Sequence, residues 1–122
     1  MKLITKEIAR KIPMLYATED IPIEEKQVPL KLFTPWADWT WYVIEGAAEF
    51  RSGDEIIEVP LPQADLDDPT LLDVRLFCYV VGLEKELGYV SLRELEDVKG
   101  PGGVCVERDR HWNPHTTLAS VT

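Results

Sequence analysis

Residues 76–81 (LFCYVV) are apolar or aromatic at every position, with no polar alternation. A strand with one face in water alternates apolar and polar side chains. A run that is apolar on both faces fits an interior strand, covered on both sides. This run is therefore expected at the sheet centre, and it demands cover on each face of that sheet. Residues 39–44 (WTWYVI) give the second strong strand signal, with Trp39, Trp41 and Val43 alternating against Thr40, Tyr42 and Ile44. Pro35 to Asp38 supply the turn before it. Residues 27–33 (QVPLKLF) have strand composition, but Pro29 lacks the donor that a central ladder needs, so an edge strand is expected.

Helical signals are short. Ile4, Ile8 and Ile12 stand one turn apart over residues 5–12, and Pro13 stops the run. Ser91 with Glu94 forms a capping-box pattern, Leu92, Leu95 and Val98 give the inner face, and Gly100 and Pro101 close that helix. Residues 103–107 are expected to return as a strand, and the tail from Asn113 to be loosely held. At 122 residues the chain fits a single domain, residues 1–122. Strands and helices do not alternate regularly. The expected fold is α+β, an antiparallel sheet of four to five strands with two short helices packed on it. Residues 46–74, with Gly53, Pro60, Pro62 and Pro69 among acids, are expected to leave the sheet as a long excursion in which only residues 55–59 form a short strand.

The chain has 22 acidic and 13 basic residues, a net charge of −9. Between Glu45 and Asp73 there are nine acids and one base (Arg51), a balance of −8; the remaining 13 acids and 12 bases balance to −1. The acidity belongs to one segment. Such a charge opposes attraction to phosphate backbones and anionic membranes. Cys78 and Cys105 lie in apolar runs and are expected to be buried free thiols. No signal-peptide pattern and no membrane-length apolar stretch is present, so a cytoplasmic location is expected.

No catalytic motif of recognised specificity occurs. In extended conformation Cys105, Glu107, Asp109 and His111 would share one side, and all four are metal-ligand types. Ligands from one short strand rarely converge on one ion, and the alternating charges equally describe an exposed, ion-paired strand. His111 and His115 are four apart but separated by Pro114, which disfavours a helical ligand pair. Trp39 and Trp41 are expected in the core. Trp36 and Trp112, flanked by proline and polar residues, are the better interface candidates.

The phrases KLITKEIARKIPMLYATE, KLFTPWADWTWYV, VVGLEKELGYVSLRELEDVKGPGG and VERDRHW together resemble the domain of unknown function 2958 family, small proteins common on bacterial plasmids and other mobile elements. The resemblance covers about two thirds of the chain, in order. It implies an accessory cargo gene and carries over no activity. The chain departs from the family pattern between Trp41 and Leu76, where a short hairpin is implied and the acidic excursion stands instead.

The expected function is noncatalytic: a mobile-element accessory protein that binds and inhibits or modulates a host macromolecular complex. An anti-defence role, anti-CRISPR or anti-restriction, as an acidic mimic of nucleic acid fits this reading. The alternatives are a small metal-dependent hydrolase using Glu107, Asp109 and His111, and a partner subunit of a plasmid DNA-processing enzyme. The expected partner is a protein with a basic surface, with no direct nucleic acid, no membrane and no cofactor. The expected partner-binding residues are Asp54, Glu55, Glu58, Asp65, Leu66, Asp67, Asp68, Leu71 and Trp36, with Ile57 as a further apolar anchor. Lysine at Asp65, Asp67 and Asp68 together is expected to leave the fold intact.

Overall fold

The computed structural model describes residues 2–122. Two short helices, α1 (Lys6–Ala9) and α2 (Leu92–Asp97), pack on one face of an antiparallel sheet of six strands. The strands are β1 (Leu30–Phe33), β2 (Thr40–Ser52), β3 (Glu55–Pro60), β4 (Leu71–Val81), β5 (Lys85–Ser91) and β6 (Glu107–Arg108). Their order is β5-β4-β2-β1-β6, and β3 pairs with the far half of β2 on the side that β1 occupies in the near half. The fold is α+β, as expected, with six strands rather than four or five. Among the described residues no helix is long and apolar enough to cross a membrane.

The long strand β2 organises both layers. Trp41 and Val43 face the main core, while Tyr42 and Ile44 face a smaller cluster with Val28 and Leu118 on the opposite side. Strict alternation would then send Glu45 into the main core. The ladder to β4 slips there: Val43 pairs with Cys78 but Glu45 with Phe77, so Ile44 is an extra residue. A bulge of this kind re-aims the chain. Beyond it Ala48 and Phe50 join the main core, and the Glu45 carboxylate lies on the second face. There it accepts from the Tyr16 amide at 2.9 Å, the Thr18 amide at 3.1 Å and the Thr18 hydroxyl. Thr18 Oγ1 in turn accepts from buried Lys26 Nζ at 2.9 Å.

Several expectations are corrected by this architecture. The segment expected to leave the sheet stays largely in it, since residues 46–52 continue β2, 55–60 form β3 and 71–74 open β4, and, besides the turn at 53–54, only residues 61–70 lie outside the strands. A Cβ on Gly46 would stand 2.8 Å from Leu61 Cδ1 and 3.0 Å from Leu76 Cδ2, so the small residue admits the turn that crosses it. Residues 76–81 lie in the interior strand β4, but the central strand is β2, with three partners.

Strand β1 is not an edge, because β6 pairs with Leu32 and Phe33 outside it; Pro29 sits just before the strand, where it interrupts no rung. The expected strand at 103–107 is reduced to Glu107–Arg108, with a 3-10 turn at Pro101–Gly103 and a single bridge between Lys99 and Cys105. The helix expected over residues 5–12 is α-helical only over Lys6–Ala9, with Thr5 as its cap.

The tail is not loose. The Val28 amide donates to the Thr116 carbonyl at 2.8 Å, the Leu118 amide to the Lys26 carbonyl at 2.9 Å, and Leu118 is 3% exposed. Cys78 is buried, and burial pushes its thiol far above the usual range, whereas Cys105 is exposed.

Replacing Glu45 with alanine strands the amide donors of Tyr16 and Thr18 in a part-buried site. The expected cost is about 1–3 kcal/mol in denaturant unfolding, with amide exchange accelerated first across residues 14–21. An unchanged midpoint and unchanged exchange would show that the carboxylate does not hold this loop.

Candidate interaction surface

The acidic segment divides into a hairpin and a built loop. The hairpin turns at Gly53, whose φ of +64° is the left-handed conformation that glycine adopts without strain. Asp54 completes the turn and Glu55, Ile56, Ile57 and Glu58 follow on β3, all exposed, and among the described residues no strand pairs with the outer edge of β3. Ile56 is 59% and Ile57 44% exposed. Successive residues of a strand point to opposite faces, so one isoleucine shows on each side of the hairpin end. Glu58 pairs with Glu49, and Glu49 with Asp73, which sets three carboxylate-bearing positions in one row across β3, β2 and β4. Like charges placed opposite one another oppose pairing.

The loop from Asp65 to Thr70 is held by its own acids. Asp65 Oδ1 accepts from the Asp67 amide at 3.0 Å. Asp68 Oδ1 accepts from the Thr70 amide at 2.8 Å and the Thr70 hydroxyl at 2.6 Å. The two bonds from Thr70 stabilise the charged form and hold the Asp68 carboxyl below the usual value of 3.8. Asp67 pairs with Lys2 at 3.2 Å on the surface.

This loop forms a ridge between two hollows. One, about 410 Å³, lies between the ridge and the hairpin and is lined by Phe50, Ile57, Val59, Ala64, Asp65 and Asp68, among others. The other, about 330 Å³, lies between the ridge and α2, with Leu66, Leu71 and Leu92 below and Arg93, Glu96 and Asp97 on its rim.

The site residues expected from the sequence are thus only partly together. Asp54, Glu55, Glu58 and Ile57 share the hairpin, and Asp65 and Asp68 face Ile57 across the first hollow. Leu66 and Leu71 are half-buried against the main core and line the second hollow. Trp36 lies elsewhere, packed against the core with its ring on Gly100, where a Cβ would come within 2.2 Å of Trp36 Cδ2. Trp112 is also engaged: its Nε1 donates to the Val28 carbonyl at 2.7 Å, and Lys31 Nζ stands 5.5 Å from its ring. Of the expected core tryptophans, Trp41 is buried, and Trp39 is half out of the surface and stacks on it.

Because Asp65 and Asp68 accept the bonds that close the loop, lysine at those positions would remove those bonds. Ile56 joins Ile57 on the hairpin, and the adjacent isoleucines of EIIEV are its sequence signal, since a strand cannot bury both on one side.

Glu107, Asp109 and His111 line a hollow with Lys31 and Arg110. Asp109 is spent on Lys31 Nζ at 3.9 Å and the His111 amide at 3.0 Å, and Cys105 Sγ lies 3.2 Å from Lys99 Nζ. Among the described residues no three His, Cys, Asp or Glu side chains converge as a metal-holding group.

A six-stranded antiparallel sheet with two helices on one face and an exposed acidic hairpin defines a small α+β single-domain protein. The chain belongs to the DUF2958 family, proteins of unknown function, whose profile matches residues 3–121 and so includes the acidic segment. No curated protein and no solved structure matches it.

The depressed Asp68 carboxyl gives a direct check on the loop. A group whose pKa is lowered by folding contributes stability above its unfolded value and loses it as pH falls through the folded one, so the loop should open only below about pH 3.8. The Thr70 amide resonance should report a midpoint below that value, and Thr70→Val should raise it. A wild-type midpoint at or above 3.8 would mean that the turn does not form.

Proposed function

We propose that the protein is a noncatalytic accessory protein that acts in the cytoplasm by binding a basic surface of a protein partner through the β2–β3 hairpin and the adjoining Asp65–Thr70 ridge. The observation that carries this reading is the pair of exposed isoleucines, Ile56 and Ile57, set among the carboxylates of Asp54, Glu55 and Glu58 beside a hollow bordered by Asp65 and Asp68. A solubilising surface needs the acids but gains nothing from the isoleucines. Clustered charge raises the association rate and selects the partner, while apolar anchors lengthen the complex lifetime.

The resemblance to mobile-element proteins supports an anti-defence role, with the carboxylates taking the place of nucleic-acid phosphates on a host nucleic-acid-binding complex. DNA and RNA themselves are not the ligand, since a net charge of −9 opposes the counterion release that drives such binding.

Affinity capture from the native host, followed by binding kinetics on the recovered complex, tests the proposal. Asp54, Glu55 and Glu58 make no side-chain hydrogen bond or ion pair among the described residues, so their joint replacement by lysine should leave the fold intact, within about 0.5 kcal/mol per site. The triple variant should associate at least about tenfold more slowly and lose most of the salt dependence of the rate. Ile56→Ser with Ile57→Ser should instead speed dissociation. A partner captured by the triple variant at the wild-type rate would reduce the acidic hairpin to a solubilising surface.

A further inference from the structure

The backbone of β3 is aimed at its open edge. The Arg51 amide donates to the Thr70 carbonyl at 2.9 Å, on the β4 side of β2. The Arg51–Ile56 rung of the hairpin is therefore one that exchanges no hydrogen bonds, and such rungs alternate along an antiparallel pair. The amides and carbonyls of Ile56 and Glu58 thus point away from β2, and among the described residues no backbone group bonds them there. Pro60, with no amide donor, closes the edge.

Charge selects what can pair with that edge. Acids on an edge strand guard against indiscriminate pairing, and a second copy would bring Asp54, Glu55 and Glu58 of both chains to one seam. Like charges on neighbouring strands oppose pairing. A basic strand meets the reverse. Ile57 pairs with core-facing Phe50 and looks onto the hollow of about 410 Å³, so Glu55 shares its face, while Ile56 and Glu58 show on the other. Each residue of an added strand stands opposite one of these four on the same face. The complement of Glu55, Ile56, Ile57 and Glu58 is thus basic, apolar, apolar, basic. Glu58 in addition stands opposite Glu49, and among the described residues neither carboxylate has a cation within ion-pair distance. A cation beside Glu58 supplies the counter-charge that this row lacks.

We propose that β3 takes up a strand of a partner protein with the order basic, apolar, apolar, basic, extending the sheet by one strand. In strand addition of this kind main-chain hydrogen bonds hold the partner and alternate side chains select it. The proposal rests on the reading of the hairpin as a partner-binding surface and adds how the partner is held. The probe is a soluble peptide with Lys-Val-Val-Lys at its centre, titrated into the isotope-labelled full chain. It should bind saturably with a Kd below about 1 mM. At saturation, amide exchange of Ile56 and Glu58 should slow at least about tenfold, while Ile57 and Val59, whose amides already face β2, change less. In either strand direction the second valine turns its own amide to β3 and the first turns it away. N-methylation of the second valine should therefore weaken binding at least about tenfold, and N-methylation of the first should not. No saturable binding, or equal effects of the two methyl groups, would overturn strand addition. Equal binding with shifts still confined to the hairpin would leave it a charged surface, a reading that fails separately if the Asp54, Glu55 and Glu58 lysine variant captures the native partner at the wild-type rate.

Discussion

The Glu45 carboxylate and the bulge that presents it are the constraint on which both layers depend. Without the extra residue at Ile44, β2 would carry a carboxylate into an apolar core, at a cost far above the net value of any contact there. With it, the two halves of β2 show opposite parities to the main core, and the carboxylate meets the Tyr16 and Thr18 donors. Thr18 relays to Lys26, and the Lys26 carbonyl accepts from Leu118. One polar chain thus ties the 14–21 loop, the Ile23–Glu25 turn and the C-terminal tail to the middle of the sheet. Those segments make up the cover on the second face, which apolar contact alone, through Val28, Ile44 and Leu118, secures only over a small area.

The same parity change shapes the acidic half. Past the bulge, β2 and β3 run beyond the reach of β1, so the hairpin end keeps β4 on one side and, among the described residues, no strand on the other. Its acids divide by role. Glu45 is buried and satisfied, Asp65 and Asp68 close turns, and Asp73 holds the start of α2, whereas Asp54, Glu55 and Glu58 have no such duty. A charge count over the segment conceals this division. Carboxylates that hold the loop cannot be exchanged without changing its shape, so the hairpin carboxylates are the ones free to serve a partner.

Much of the fold was legible from the chain itself. The both-faced run at residues 76–81, the alternation from Trp39 to Ile44 and the Ser91 cap each describe a local choice that the packed structure keeps. What was lost lies where tertiary packing overrides local pattern. Gly46 continues β2 at a point where only the lack of a side chain admits Leu61 and Leu76, and Pro29 precedes a strand that β6 covers with only two residues. Leu118 is buried where its amide donates to the Lys26 carbonyl and the Val28 amide donates to the Thr116 carbonyl, a pairing that no local pattern announces. For the candidate site, the sequence located the acids but not their hydrogen bonds. Only the fold separates hairpin carboxylates from turn carboxylates, or packs Trp36 against Gly100 and the main core.

The central claim, that the far half of β2, β3 and the Asp65–Thr70 ridge form a protein-binding surface, is tested most directly by hydrogen exchange of the protein in complex with the partner recovered from its native host. The account predicts new protection concentrated over residues 50–58 and 64–70, with β1, β6 and the tail unchanged. Protection centred instead on Trp36, Arg108 and Trp112, with residues 50–58 exchanging as in the free protein, would contradict it.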